Sequence, residues 1–360
     1  MKHASALLAA LLLPLLAACG GTPPAEEEPV VDAGPLVVWS AIDEEVLAPF
    51  VESFRQVSTG AAVDDGEAAV AEAGGVEVRY GDGEELAAEL TAGAGAMATT
   101  DAPRPDLFLA DALTLGALAD AGLLRPLPAE VTAAVPAHFA SAEAHWVGLT
   151  GRSREVVYDP ERVEPENLPQ SLSALAEPRF RGSFALAPGD GALVAHLAVY
   201  RALNGAAAFQ ELLGRVAANE PLLVGDDAAV VEAVATGEAA WGLAGSDALC
   251  RHRAEAEEGA PRLGTFHMPS GDASGFVGLS GAGVLTDHPR AVALVAHLLT
   301  ADAQARLVAA TCSYPLVEGI EPPPGQPPLA DLDAPQIDFG EVAAVRQATR
   351  EALAAGELAP

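Results

Sequence analysis

The chain has 360 residues, half of them hydrophobic, and carries 51 acidic against 19 basic side chains, for a formal net charge of −32. Such a length suggests about two domains with sizeable cores. So acidic a chain is excluded from the nucleic-acid binders, which need clustered lysine and arginine to meet backbone phosphates. Lys2 is the only lysine, and the acids are spread along the chain, so the charge reads as an acidic surface and not as an acidic tail.

Residues 1–19 read as a signal peptide. Lys2 and His3 form a short basic start, Leu7 to Leu16 an apolar run too short to span a bilayer, and Leu16-Ala17-Ala18-Cys19-Gly20 its end. Small residues before a cysteine at that place resemble the lipobox of bacterial lipoproteins, which implies lipidation of Cys19 as the mature N-terminus. Residues 20–35, rich in Gly, Pro and Glu, read as a flexible tether. The expected location is therefore extracytoplasmic, periplasm or cell surface, with the protein lipid-anchored to a membrane. Two cysteines remain, Cys250 and Cys312; in an oxidising compartment they are a candidate disulfide or else two separate buried thiols.

From the tether onward, strands and helices alternate. Leu36 to Ala41 is an apolar run suited to a buried strand, and Asp43-Glu44-Glu45 opens a helix with Val46, Leu47, Phe50, Val51 and Phe54 on one face. Residues 60–75 read as a surface insertion, Val76 to Tyr80 as a second strand, Gly81 to Leu90 as a turn and helix, and Gly93 to Arg104 as loop. Asp106 to Asp111 is a third strand and Ala112 to Ala121 a third helix. This alternation is that of a parallel, doubly wound sheet, in which ligands bind beyond the carboxyl ends of the strands. Asp43 and Asp111 lie there, as ligand contacts or as helix caps.

Trp146 to Val163 (WVGLTGRSREVVYDPERV) is the stretch that organises the rest. It predicts a strand ended by Asp159-Pro160, with Arg152 and Arg154 on one face. Their planar donor forks suit carboxylate, carbonate or phosphate, and equally suit pairing with local acids. Further on, Ser183 to Ala187 is a strand and Pro188-Gly189-Asp190-Gly191 a turn into a helix, Ala192 to Leu203. There free N–H groups favour an anion, or Asp190 serves as cap. Helices follow at Gly205 to Ala218 and Asp226 to Gly237, then a strand at Ala239 to Ala244 and a helix from Gly245-Ser246-Asp247 through Glu257. Strands at Leu263 to Met268 and Phe276 to Leu285, helices at 289–299 and 302–310, and a last helix near 341–355 complete the chain. No HExxH, Walker A or Cys/His cluster is present, and Gly278 to Ala282 misses G-x-S-x-G at its last position. The chain is therefore not expected to be an enzyme.

The blocks LVVWSAIDEEVLAPF, PDLFLADALTLGALADAGLLRPLP, WVGLTGRSREVVYDPERV, LPQSLSALAEPRFRG, VVEAVATGEAAWGLAGSDAL and SYPLVEG resemble the extracytoplasmic solute-binding proteins of ABC importers, in particular the ferric-iron-binding branch. The resemblance implies an α/β, two-lobed type II periplasmic-binding-protein fold, each lobe a mostly parallel sheet flanked by helices. The expected lobes are 36–137 plus 275–310 and 138–274 plus 311–360, with crossings near 135–145 and 268–276. The family's two adjacent iron-binding tyrosines fall here on Asp247 and Ala248, and the four tyrosines, Tyr80, Tyr158, Tyr200 and Tyr314, include no adjacent pair. A family histidine falls on Asp43 and a family acid on Asp111. The donors of a companion anion fall on the Pro188–Gly191 turn, where none remains. Cys250 and Cys312 both take aromatic positions of the family, which fits a bridge in place of a contact.

The function so implied is a lipid-anchored receptor that clamps a small solute between two lobes and hands it to an ABC permease and its ATPase. It would act as a monomer, with no nucleic acid involved. Iron(III) or an iron chelate is the expected solute, with a companion anion. Asp43, Asp111 and Asp247 would supply hard oxygen ligands, Arg152 would meet an anion, and Asp190 is a further candidate ligand contact. Another cation or a small anion is the alternative, as is a sensor or scaffold lipoprotein that no longer binds iron.

Overall fold

A computed structural model describes residues 34–60, 75–95, 104–256, 262–269, 272–332, 334–335, 337–356 and 358–359. The signal peptide, Cys19, most of the tether and the core of the expected 60–75 insertion lie outside these residues.

The first half opens on β1 (Leu36–Ser40), α1 (Glu44–Gly60), β2 (Val76–Tyr80), α2 (Gly83–Gly95), β3 (Leu107–Asp111) and α3 (Ala112–Asp120). β1 lies between β2 and β3, parallel to both, as a strand–helix alternation requires. Acids begin α1, and Leu47, Phe50, Val51 and Phe54 bury one face of it. Helix α2 continues through Gly93, which the sequence suggested was already loop. A short α4 (Ala129–Thr132) then leads to β4 (Trp146–Tyr158).

β4 is the strand expected, and it is also the crossing. Trp146 to Ser153 pairs antiparallel with β9 (Val277–Val284), whereas Arg154 to Tyr158 pairs with β7 (Trp241–Gly245) and Val156 to Tyr158 with β8 (Gly264–Phe266). The register slips between Gly148 and Thr150. A Cβ on Gly148 would stand 2.8 Å from the Phe139 carbonyl oxygen and 2.6 Å from Leu316, so only glycine admits this close approach.

In the second half β5 (Phe184–Leu186) lies parallel to both β6 (Leu222–Leu223) and β7. The full strand order is β2-β1-β3-β9-β4-β7-β5-β6, with β8 and β10 (Tyr314–Pro315) paired to β4. Each end is therefore a parallel triplet, and antiparallel strands join them. The two helices expected run end to end as α5 (Gly191–Ala218), divided at Gly205, whose φ 84° and ψ 163° are not helical, where the sequence placed the break. α6 (Asp227–Ala235), α7 (Ser246–Glu255), α8 (Pro289–Leu298), α9 (Ala301–Thr311) and α10 (Phe339–Ala355) complete the fold.

One apolar core gathers β1, β3, β9, the start of β4 and α8–α9. A second gathers β5, α5, part of β7 and Val342 and Leu353 of α10, and a third lies beneath α6 and α7. Burial of these side chains is the main stabilising contribution. α10 packs against both α5 and α3, and its Phe339 meets Trp146 edge-on at 5.1 Å. Cys250 on α7 and Cys312, which caps α9 in the left-handed conformation at φ 54°, are joined as a disulfide.

Candidate functional site

A cleft of about 650 Å³ lies where the ends of β1, β2, β3 and β7 meet the starts of α2, α3, α5, α6 and α7, the position expected of a ligand site in sheets of this kind. All five residues singled out from the sequence, Asp43, Asp111, Arg152, Asp190 and Asp247, line it. The lining also holds Asp82, Glu84, Asp226 and Asp227, so eight carboxylates face four arginines, Arg152, Arg154, Arg251 and Arg346.

β4 delivers the first pair of arginines, but to different environments. Arg154 is 4% exposed. Its terminal nitrogens donate to Asp227 at 2.7 and 3.1 Å and to Asp190 at 3.2 Å. Burial opposes its charge, yet the carboxylates of Asp227 and Asp190 outweigh that cost and push its pKa up. Arg152 has a side chain 46% exposed and reaches Asp247 only at 3.4 Å, leaving most of its donors to the cleft.

The acids are occupied in different ways. Asp190 caps α5, accepting from Ala192 N and Leu193 N. Asp247, 4% exposed, accepts from Arg152 and forms an ion pair at 3.0 Å with Arg251 one turn on. Asp111 caps α3 by accepting from Leu113 N and Thr114 N, and takes the Thr114 hydroxyl at 2.7 Å. Arg346 then donates to both its oxygens, at 3.0 and 3.2 Å. A carboxylate offers about four lone-pair sites, and those of Asp111 are filled. Asp43 is exposed at the lip.

Asp43, Asp111 and Asp247 share the cleft, but Asp111 and Asp247 are committed to arginines. Among the described residues no group of three His, Cys, Asp or Glu side chains is placed to hold a metal ion. No tyrosine lines the cleft.

His196, on the second turn of α5, also lines it and is 2% exposed. Burial and the neighbouring Arg154 charge push its pKa down to about 3, which favours the neutral ring, and its Nε2 has no hydrogen-bond partner among the described residues. Its edge meets Phe276 at 5.7 Å. Sequence reading had a local signal for Arg251, four residues from Asp247 on one helix face, and for Asp227 in the acidic turn opening α6. Arg346 had none, because it comes from a helix 235 residues beyond Asp111.

Residues 66–330 match the family described as bacterial extracellular solute-binding protein. The major ferric iron-binding protein of Neisseria meningitidis serogroup B is 30% identical over 257 residues, covering 68% of this chain and 76% of that one. The Fe(3+)-binding periplasmic protein of Serratia marcescens is 26% identical over 312 residues, covering 85% and 86%. The crystal structure of iron-bound HitA from Pseudomonas aeruginosa superposes with a TM-score of 0.73 at 26% identity, covering 88% of this chain and 98% of that one. The fold is accordingly the two-lobed type II periplasmic-binding-protein fold. The chain belongs to the bacterial extracellular solute-binding protein family, a family of binding proteins and not of enzymes.

Proposed function

We propose that this protein is the solute-binding component of an ABC importer and takes iron(III) as an anionic chelate, not as the bare ion. Its relatives are named for ferric iron. The observation that carries the finer reading is the cleft lining, four arginines and no tyrosine. Ferric ion is a hard cation that needs anionic oxygen donors. Here the open carboxylates are few, so the donors arrive with the ion, and arginine forks then hold the outer carboxylates of the chelator. Arg152 is the principal contact, with Asp43 at the opposite lip and Asp190 and Asp247 holding the arginines in place. The lobes turn about β4 and β9, and the ligand favours the closed state.

The rest of the reading follows from the leader. Lipidation at Cys19 anchors the protein to a membrane outside the cytoplasm, the tether gives it reach, and it works as a monomer that hands its solute to a permease and ATPase. A small anion alone is the second reading, favoured by the half-exposed Arg152. Calorimetric titration with ferric citrate, free citrate and Fe³⁺ with carbonate separates the two. Binding of ferric citrate well above free citrate supports the chelate reading. Equal binding of both turns it into an anion receptor, and preference for Fe³⁺ with carbonate overturns the chelate.

A further inference from the structure

Arg346 stands apart from the other cleft arginines. It comes from α10, whose apolar face belongs to the second core, yet its guanidinium lies on the first half, between two acids. Nη1 donates to Asp111 at 3.0 and 3.2 Å and to the Thr114 hydroxyl at 3.3 Å, and Nη2 lies 2.8 Å from Glu84. Its Nε is buried and finds no hydrogen-bond partner among the described residues, and its side chain is 13% exposed. Those two acids are on the lip that would otherwise offer oxygen to a cation.

We infer that Arg346 is a specificity-determining residue, a tethered cation that occupies the carboxylate pair Asp111 and Glu84 and so excludes bare metal cations in favour of anionic solutes. The physical case is one of competition. A guanidinium held by the fold binds the two carboxylates without the entropy cost a free ion meets. It also fills the last lone pairs of Asp111, so a metal arriving there must first displace it. A negatively charged solute needs no carboxylate vacated, and the guanidinium charge attracts it. The inference rests on the chelate reading for its second half only; exclusion of bare cations stands on the geometry of Arg346 at Asp111, an acid that Arg350 does not pair with among the described residues.

The neighbouring Arg350 supplies the control. It donates to the same Glu84 at 2.6 and 2.8 Å, also from α10, but does not line the cleft. A merely structural part for Arg346, tying α10 to α2, would be shared by Arg350.

The test is titration of the purified protein with Mn²⁺, followed by electron paramagnetic resonance, and with ferric citrate, followed by calorimetry. In Arg346→Gln, Mn²⁺ uptake is expected where the wild type shows none, with ferric citrate weakened about tenfold or more. Arg346→Lys keeps the wild-type pattern, and Arg350→Gln changes ferric citrate affinity by no more than about twofold. Adding Asp111→Asn to Arg346→Gln abolishes the Mn²⁺ uptake. Asp111→Asn alone retains a capping side chain and frees Arg346, so it binds ferric citrate about threefold more tightly or better; this variant decides the matter should Arg346→Gln fail to fold. Absence of Mn²⁺ uptake in a folded Arg346→Gln, Mn²⁺ uptake by Arg350→Gln, or unchanged or weaker ferric citrate binding by Asp111→Asn overturns the inference. Failure of the wild type to bind ferric citrate overturns the chelate reading instead, and the Mn²⁺ arm still decides the role of Arg346.

Discussion

Arg154 and Asp227 face each other as a two-pronged ion pair, 2.7 and 3.1 Å apart, with the guanidinium side chain 3% and the carboxylate side chain 11% exposed. Asp227 also accepts from Gly245 N at 2.8 Å, so one carboxylate joins β4, α6 and the end of β7. Such a pair is costly to desolvate, and breaking it is costlier than never having made it. Asp227→Ala is therefore expected to destabilise the protein by about 3–5 kcal/mol, read as a lower denaturant midpoint. Asp190 remains as a partner, which sets the loss toward the lower figure. A variant with unchanged stability would mean that water reaches Arg154.

Arg152, two residues earlier, should behave in the opposite way. Its pairing with Asp247 is long and its side chain about half exposed, and exposed pairs contribute about 0–1 kcal/mol. Arg152→Gln is expected to leave the melting temperature nearly unchanged and to weaken ferric citrate binding about tenfold. Loss of stability with intact binding would exchange the roles of the two arginines.

Glu155 introduces a pH dependence of stability. It is fully buried on β4, on the far side from Arg154. Gln326 Nε2 donates to its two oxygens at 3.2 and 3.1 Å, and His267 Nε2 lies 3.2 Å away. Burial pushes the carboxyl up to about 8, against the smaller pull of Gln326 and Arg253. An unfolded chain releases this proton near pH 4.3, so between there and about pH 8 the folded state binds more protons. Its contribution is complete at the acid end and is lost as pH rises through the window. The wild type should lose on the order of a few kcal/mol relative to Glu155→Gln between pH 5 and pH 9. Denaturant unfolding of both at pH 5, 7 and 9 checks this; a gap independent of pH would mean that the carboxyl does not titrate there.

The Cys250–Cys312 disulfide closes a separation of 62 residues and joins α7, which carries Asp247 and Arg251 into the cleft, to the end of α9 in the first core. Loop-closure entropy gives about 4 kcal/mol for a loop of this size. Reductant should lower the melting temperature of the wild type and leave that of Cys250→Ser/Cys312→Ser unaffected. Equal melting of the wild type with and without reductant would mean that the link adds nothing to the folded state's advantage.

What was legible in the sequence was local. β4 follows from its own alternation and from the Asp-Pro stop; Asp43 and Asp111 follow from acids at strand ends, Asp190 from its glycine turn and Arg152 from strand alternation, whereas Asp247 came only with the family likeness. Family likeness located the same places but carried a metal role onto Asp111. The pairing of that acid with Arg346, 235 residues further along, left no local signal. The distinction between Arg152 and Arg154 was equally hidden. Both alternate onto one face, and only the packing of α6 over the strand decides which is sealed in. Gly93 misled because glycine near a helix end reads as a stop, whereas here α2 runs through it at a modest propensity cost.

The corner at Gly205 has a bearing on how this chain survives passage through a membrane. By length and composition alone α5 could cross a bilayer; as a straight rod its 28 residues would reach about 42 Å. The left-handed glycine divides it into two arms of about 20 Å each, shorter than the roughly 30 Å of hydrocarbon a span must cover. One arm sets its N-terminal residues, Gly191 and Ala192, in the lining of the cleft. The other folds back to lay Phe209, Leu212, Leu213 and Val216 on the second core. A single hydrogen in place of a side chain thus separates a segment that folds in water from one that a lipid phase could retain.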